Sequence, residues 1–233
     1  YRILCIGLGK PPEKFDLEFT DKDGKFTRDA GLTPHGFYEK YIGLNLEDYI
    51  SLINSPTDDK PYYHSYSVRC LGNVVGGRPV HYVNLPIEKL KDAAAAQLKD
   101  GIPVWFGSDV GKHSERKLGL LDTNLYDRES LFNVSFGMDK GQRLDYGHSL
   151  MTHAMVLQGV DIDEADNPIR WCVENSWGDD KGDEGYFSMA DNWFDEYVYQ
   201  IVVNKKYLEA EVLKAYESEP ILLEPWDPMG SLA

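Results

Sequence analysis

The clearest hydrophobic pattern lies in the middle of the chain. Leu90, Ala94 and Leu98 form a four-residue stripe, Pro86 stands in the first turn, and Gly101 follows the end. This spacing predicts a helix over 86–99. A second helix is expected to open at Thr33-Pro34, a cap followed by a first-turn proline, with Phe37, Tyr41 and Ile42 on one face. Ile3 to Leu8 alternates and is rich in strand formers before Pro11-Pro12 breaks it, which predicts a strand. Short strands and loops are expected over 43–83, and Pro103 to Phe106 reads as a buried strand. Residues 107–147 are irregular, with two short helices. From His153 onward the pattern turns to β-structure. Strands are expected at 153–161, 169–175, 185–189 and 197–203, with a helical turn from Asn192 to Glu196. A terminal helix from Lys205 to Glu217 would turn Leu208, Val212 and Leu213 inward, and 220–233 is a tail containing Pro and Gly.

The composition is that of a globular protein: 42% of 233 residues are hydrophobic and 12% aromatic. Such a chain can bury a sizeable core. The net charge of −15 repels nucleic acid and anionic lipid, so neither is expected as a partner. No stretch reads as a membrane span or a signal peptide. Cys5, Cys70 and Cys172 are odd in number, widely spaced and without a Cys-x-x-Cys, which predicts a reducing compartment. An apparent strand begins directly after Tyr1, which is not Met, so the chain is expected to be the C-terminal part of a longer protein.

Two segments carry candidate chemistry. Thr152-His153-Ala154-Met155 and Glu174-Asn175-Ser176-Trp177-Gly178 each place one polar group where apolar residues otherwise dominate. A histidine followed by an asparagine on the next strand matches the second and third members of a Cys-His-Asn unit. A cysteine nucleophile works as a thiolate held by an adjacent imidazolium, and the imidazole needs its far nitrogen fixed by an acceptor. Because thiolate and imidazolium already balance, a neutral amide oxygen suffices. Trp177, two residues past Asn175, is placed to cover that hydrogen bond from water. None of the three cysteines precedes a helix in the way that depresses a thiol pKa, so all three read as structural.

At these residues the chain resembles the papain-like cysteine peptidases. His153-Ala154, Asn175-Ser176-Trp177-Gly178 and Gly185-Tyr186 carry the likeness. Val104 to Lys112, Leu125-Tyr126-Asp127, Glu196 to Tyr199 and the ending Trp226 to Ala233 resemble the bleomycin hydrolase (aminopeptidase C) branch. The match runs from Leu4 to Ala233. The resemblance implies an α+β fold, mainly its β-rich half with flanking helices. It also implies a cytosolic thiol aminopeptidase assembled as a hexamer, with His153 as base and acid and Asn175 as its orienting partner. The nucleophilic cysteine and the oxyanion-hole glutamine of this family lie upstream and have no counterpart here, and Ser108 and Cys172 are not substitutes. The C-terminal arm of the family implies that the Ala233 carboxylate pairs with a substrate's α-amino group, which admits only free N-termini.

The expected organisation is a mixed α/β part over 1–100, a β-rich half carrying His153 and Asn175 over 101–219, and a C-terminal arm over 220–233 that enters the cleft. Neither a cofactor nor a metal is expected. Asp21 to Gly24 and Asp161 to Asp166 lack the ligand pattern of a calcium loop, no His-Glu-x-x-His occurs, and Gly72 to Gly77 lacks a phosphate loop's lysine. Expected partners are peptides with a free N-terminus, further copies of the chain, and the segment that carries the cysteine. Two alternatives stand beside this reading. One is a binding or scaffold protein of the same fold without a nucleophile. The other is an unrelated acidic β-rich binding domain.

Overall fold

The computed structural model describes residues 1–72 and 74–231 and divides the chain at Leu46/Glu47. The N-terminal unit begins with α1 (Arg2–Leu8), followed by a hairpin of β1 (Phe15–Thr20) and β2 (Phe26–Leu32). Helix α1 replaces the expected strand. Short apolar runs do not distinguish the two states. A helix satisfies its backbone locally, as in Cys5 N–H to the Tyr1 carbonyl at 2.9 Å, without needing a partner strand. The expected helix at Thr33 forms as α2 (Pro34–Phe37), with the Thr33 hydroxyl accepting from Gly36 N–H. A π-helical turn over Tyr38–Ile42 extends it, and Phe37 stacks on Tyr41.

The second unit is built on one mixed sheet. Its first strands are β3 (Tyr49–Ile53), β4 (His64–Val68) and β5 (Tyr82–Asn84), followed by α3 (Ile87–Lys99). Next come β6 (Val104–Ser108), β7 (Ser114–Glu115) and β8 (Leu120–Leu121). Two short helices, α4 (Arg128–Phe132) and α5 (Lys140–Asp145), cross the irregular stretch. After them come β9 (His153–Ile162), β10 (Pro168–Glu174), β11 (Tyr186–Ala190), α6 (Asp191–Tyr197) and β12 (Val198–Asn204). Helix α7 (Ala210–Glu217) and β13 (Ile221–Leu223) complete the set. The strand order is β13-β4-β5-β3-β12-β6-β9-β10-β11-β8-β7. Helices beside one large sheet make the α+β class that was expected.

Side-chain periodicity explains the core. Strand β10 turns Trp171 and Val173 inward between exposed Arg170, Cys172 and Glu174. Central β12 is buried over most of its length. Helix α3 buries Leu90, Ala93, Ala94 and Gln97. The Gln97 side chain ties this helix to its neighbours, donating to the Pro103 carbonyl and accepting from Asn204 N–H, both at 2.8 Å.

The expected terminal helix is split. A 3-10 turn over Lys205–Tyr207, capped by the Asn204 side chain, gives way to extended Leu208 before α7 begins. The tail is ordered as far as it is described. Strand β13 pairs parallel with β4, and Met229 is buried. Asp227 pairs at 2.9 Å with Lys60, whose side chain is also buried. Among the described residues no helix is long and apolar enough to cross a membrane.

Lys140 is, among the described residues, a lysine buried without a carboxylate in ion-pair contact. Its Nζ donates to the Val198 carbonyl at 2.7 Å and lies over the Tyr199 ring. Desolvation dominates and lowers its pKa to about 7, despite the charges of Glu196 and Asp195. Above about pH 7 the unfolded chain therefore carries a proton that the folded chain lacks. Stability should rise with pH from there toward the free-lysine value, by up to about 1.4 kcal/mol per pH unit. Lys140→Met should abolish that rise. Unfolding free energies of both proteins at several pH values between neutral and mildly alkaline check this, and equal slopes would refute it.

Gly182 sits at φ +64°, where a Cβ would stand 2.2 Å from the Tyr186 carbonyl oxygen and 2.9 Å from the Phe187 ring. That turn closes the loop between β10 and β11. Gly182→Ala combines left-handed strain with a clash against backbone, so it should cost more than about 2 kcal/mol. A Tm lowered by roughly 4–8 °C in a thermal scan is the expected result.

Candidate active site

The ends of three strands converge to build the site. His153 is the first residue of β9 and pairs across the sheet with Ser108, the last residue of β6. Asn175 follows the last residue of β10, and its N–H donates to the Gly185 carbonyl at 3.1 Å. The loop from Ser176 to Gly185 brings Trp177 back over the two. This loop needs left-handed backbone at Gly178, Gly182 and Gly185, which explains the glycines spaced along the motif.

His153 Nε2 lies 2.9 Å from Asn175 Oδ1. Ser176 N–H donates to the same oxygen at 2.8 Å. Two donors thus converge on one atom, which fixes which end of the amide faces the ring. An amide oxygen only accepts, so the neutral imidazole carries its proton on Nε2. Nδ1 is left with its lone pair and has no hydrogen-bond partner among the described residues. The Trp177 ring stacks on the imidazole with centroids 4.9 Å apart. Its other contacts are an edge of Phe187 and the Arg116 guanidinium. Trp177 thus lies over the imidazole and, partly buried, packs against the hydrophobic core as well.

The structure brings together His153, Asn175 and Trp177. The fourth expected site residue, Ala233, lies outside the described residues. The sulfurs of the second unit are elsewhere. Cys172 pairs with Gly159, six positions along β9 from His153, or roughly 20 Å at the rise of a strand. Burial and the charge of Glu174 push its thiol pKa up, the opposite of what a nucleophile needs. Cys70 follows β4, five strands from β9 in the sheet order, or roughly 24 Å. Cys5 belongs to α1 of the N-terminal unit. Ser108 is fully buried, and its Oγ bonds to nothing among the described residues, His153 included. No serine–histidine dyad is formed. No group of three or more possible metal ligands occurs among the described residues.

One part of the site was not read from the sequence. Behind His153, on the opposite face of its strand end, the buried carboxylate of Asp109 accepts from Ser149 and Thr152. The only sequence signal was an acidic residue directly after the apolar run of β6.

Comparison with known proteins places the chain in a family. The Peptidase C1-like family model matches residues 1–230. The chain is 55% identical over 233 residues to aminopeptidase C of Streptococcus thermophilus and 50% identical over 238 residues to human bleomycin hydrolase. Each alignment takes in all of this chain and 52% of the relative. A crystal structure of PepW from Lactobacillus rhamnosis superposes with a TM-score of 0.95 at 56% identity, over 99% of this chain and 52% of that one. The chain thus spans about half the length of the curated relatives it matches. It belongs to the Peptidase C1-like family and carries the α+β fold of the papain-like cysteine peptidases.

Proposed function

We propose that these 233 residues supply the histidine and asparagine of a cytosolic thiol aminopeptidase whose nucleophilic cysteine lies outside them. The observation that carries this reading is the hydrogen bond from His153 Nε2 to Asn175 Oδ1, covered by Trp177, with Nδ1 unengaged. An imidazole held this way presents one basic nitrogen in a fixed direction. A thiol brought to Nδ1 gives up its proton and becomes a thiolate paired with imidazolium. The thiolate attacks the carbonyl carbon of the scissile peptide bond. Nδ1–H then protonates the departing amine, and a thioester remains. Nδ1 next takes a proton from water, whose oxygen attacks the thioester, and the acid and the thiol are released. Asn175 stays neutral throughout and holds the ring in one orientation.

The relatives named aminopeptidase C support the substrate class: peptides with a free N-terminus. In this reading the Ala233 carboxylate, at the end of an arm formed by 220–233, receives the substrate's α-amino group. A chain-terminal anion in a cleft gives a charge-assisted contact and also blocks longer substrates. The active assembly is proposed to be a homo-hexamer. The 233 residues by themselves should be inactive, because no thiol of the second unit stands near His153.

In the complete peptidase, His153→Ala should remove nearly all turnover while leaving substrate binding largely intact. Asn175→Ala should cost less, since the base remains and only its orientation weakens. Steady-state kinetics on an aminoacyl-amide substrate check this. Wild-type turnover by His153→Ala would remove the Cys-His-Asn assignment.

The arm has its own test. Deleting the last few residues should lower aminopeptidase efficiency by roughly ten- to a hundred-fold, the worth of about 1.5–3 kcal/mol for a partly dehydrated charged contact. Endopeptidase activity should appear at the same time. Equal rates in the intact and truncated proteins would remove the arm from the account.

A further inference from the structure

The turn that delivers His153 onto β9 is tied down by one buried carboxylate. Asp109 directly follows β6 and is 5% exposed. Its backbone is fixed on both sides: its N–H donates to the Tyr197 carbonyl at 3.0 Å, and its own carbonyl accepts from Lys112 N–H at 3.1 Å. From this anchored position its side chain reaches across to the turn. Oδ2 accepts from the Ser149 hydroxyl at 2.8 Å, and the Thr152 hydroxyl shares its one proton between Asp109 Oδ1 at 3.4 Å and the Ser108 carbonyl at 3.5 Å. Thr152 N–H donates to the Ser108 carbonyl at 2.9 Å. Ser149 and Thr152, in the turn before β9, are thereby joined to Ser108, the last residue of β6, and to Asp109 directly after it, and His153 is the next residue along.

The proton directions in this cluster follow from charge. An ionised carboxylate only accepts, so the single Ser149 proton points at Asp109. Ser149 Oγ lies 2.7 Å from the Tyr199 hydroxyl, and with its own proton committed it must accept there. Tyr199 therefore donates. Its side chain is fully buried, and burial pushes its pKa up to about 12, so it retains that proton. The result is a one-way chain from Tyr199 through Ser149 to Asp109, with Thr152 as the second donor. Asp109, Ser149 and Tyr199 are all buried, and a buried network of this kind defines a single arrangement of the backbone it binds, with the exposed Thr152 at its rim. Nothing in this cluster touches the imidazole. On the peptidase reading, the histidine must meet a thiolate at a fixed distance, and a misplacement of 1 Å can cost about 100-fold in rate.

We propose that Asp109 is a positioning residue for His153, binding Ser149 and Thr152 so that the turn between them sets the imidazole against the incoming thiolate. This rests on the thiol peptidase reading, and the test separates the two. Kinetics of the complete peptidase, normalised to titrated active-site thiol, are compared for the wild type, Asp109→Ala, Asp109→Asn, Thr152→Val and His153→Ala. Asp109→Ala should lower kcat by about 10- to 100-fold with KM nearly unchanged. Asp109→Asn should recover to within about three-fold of wild type. Its amide can accept from one hydroxyl and donate to the other, with the Ser149–Tyr199 bond reversed. Thr152→Val should lower kcat by about three- to ten-fold and should add little to Asp109→Ala, because both break one network. If Asp109→Ala does not fold, the Asn and Val variants decide the matter. Wild-type kcat per titrated thiol in Asp109→Ala, or in Thr152→Val where Ala is unfolded, would overturn the proposal. So would a lower Tm and fewer titratable thiols with an unchanged rate per site, since that is what a merely structural residue produces. Full turnover by His153→Ala would instead remove His153 as the base, and with it the Cys-His-Asn reading on which this proposal rests.

Discussion

The register between β9 and β10 is the constraint on which the site depends. Trp171 and Cys172 pair with Val160 and Gly159, whereas Val173 and Glu174 pair with Leu157 and Val156. One residue of β9, Gln158, is left over as a bulge. Because side chains alternate along a strand, this extra residue changes which positions of β9 face inward. Met155 and Leu157 are buried on one side of it, and Val160 packs against the same core on the other. The bulge lets both halves of a long strand bury apolar side chains while His153 stays at the edge, within reach of Asn175. A slip of one residue without it would turn the imidazole to the opposite face of the sheet.

Local polarity does the rest. Asn175 Oδ1 receives two donors, so the amide cannot turn without losing both. Trp177 stacks on the imidazole, a contact that restricts the plane of the ring. The loop that carries Trp177 over the imidazole takes left-handed backbone at Gly178, Gly182 and Gly185, which favours glycine there. The imidazole is thus held by backbone geometry and by a hydrogen bond to a neutral amide.

Much of this was legible in the sequence, for identifiable reasons. The stripe of Leu90, Ala94 and Leu98 and the alternation around Trp171 and Val173 are direct images of burial, so α3 and β10 were read correctly. His153, Asn175 and Trp177 stood out as polar or aromatic groups at strand ends within a motif that demands glycine. Helix α1 was misread as a strand because Ile3 to Leu8 satisfies either pattern and the choice depends on whether a partner strand exists. The break before α7 was missed because Leu208 fits a helical stripe, while the Asn204 side chain caps the start of a separate 3-10 turn that ends at extended Leu208. The cluster around Asp109 was invisible because Asp109, Ser149 and Tyr199 are forty and fifty residues apart and meet only once β6, β9 and β12 are assembled.

The central claim is that Asn175 places the imidazole proton on Nε2 and leaves Nδ1 as the base. Long-range nitrogen–proton NMR of the His153 ring, at a pH where the ring is neutral, tests it most directly. The account predicts the Nε2–H form, with a slowly exchanging ring proton that is lost in Asn175→Ala as the two tautomers mix. A proton found on Nδ1, or a spectrum unchanged by Asn175→Ala, would contradict it.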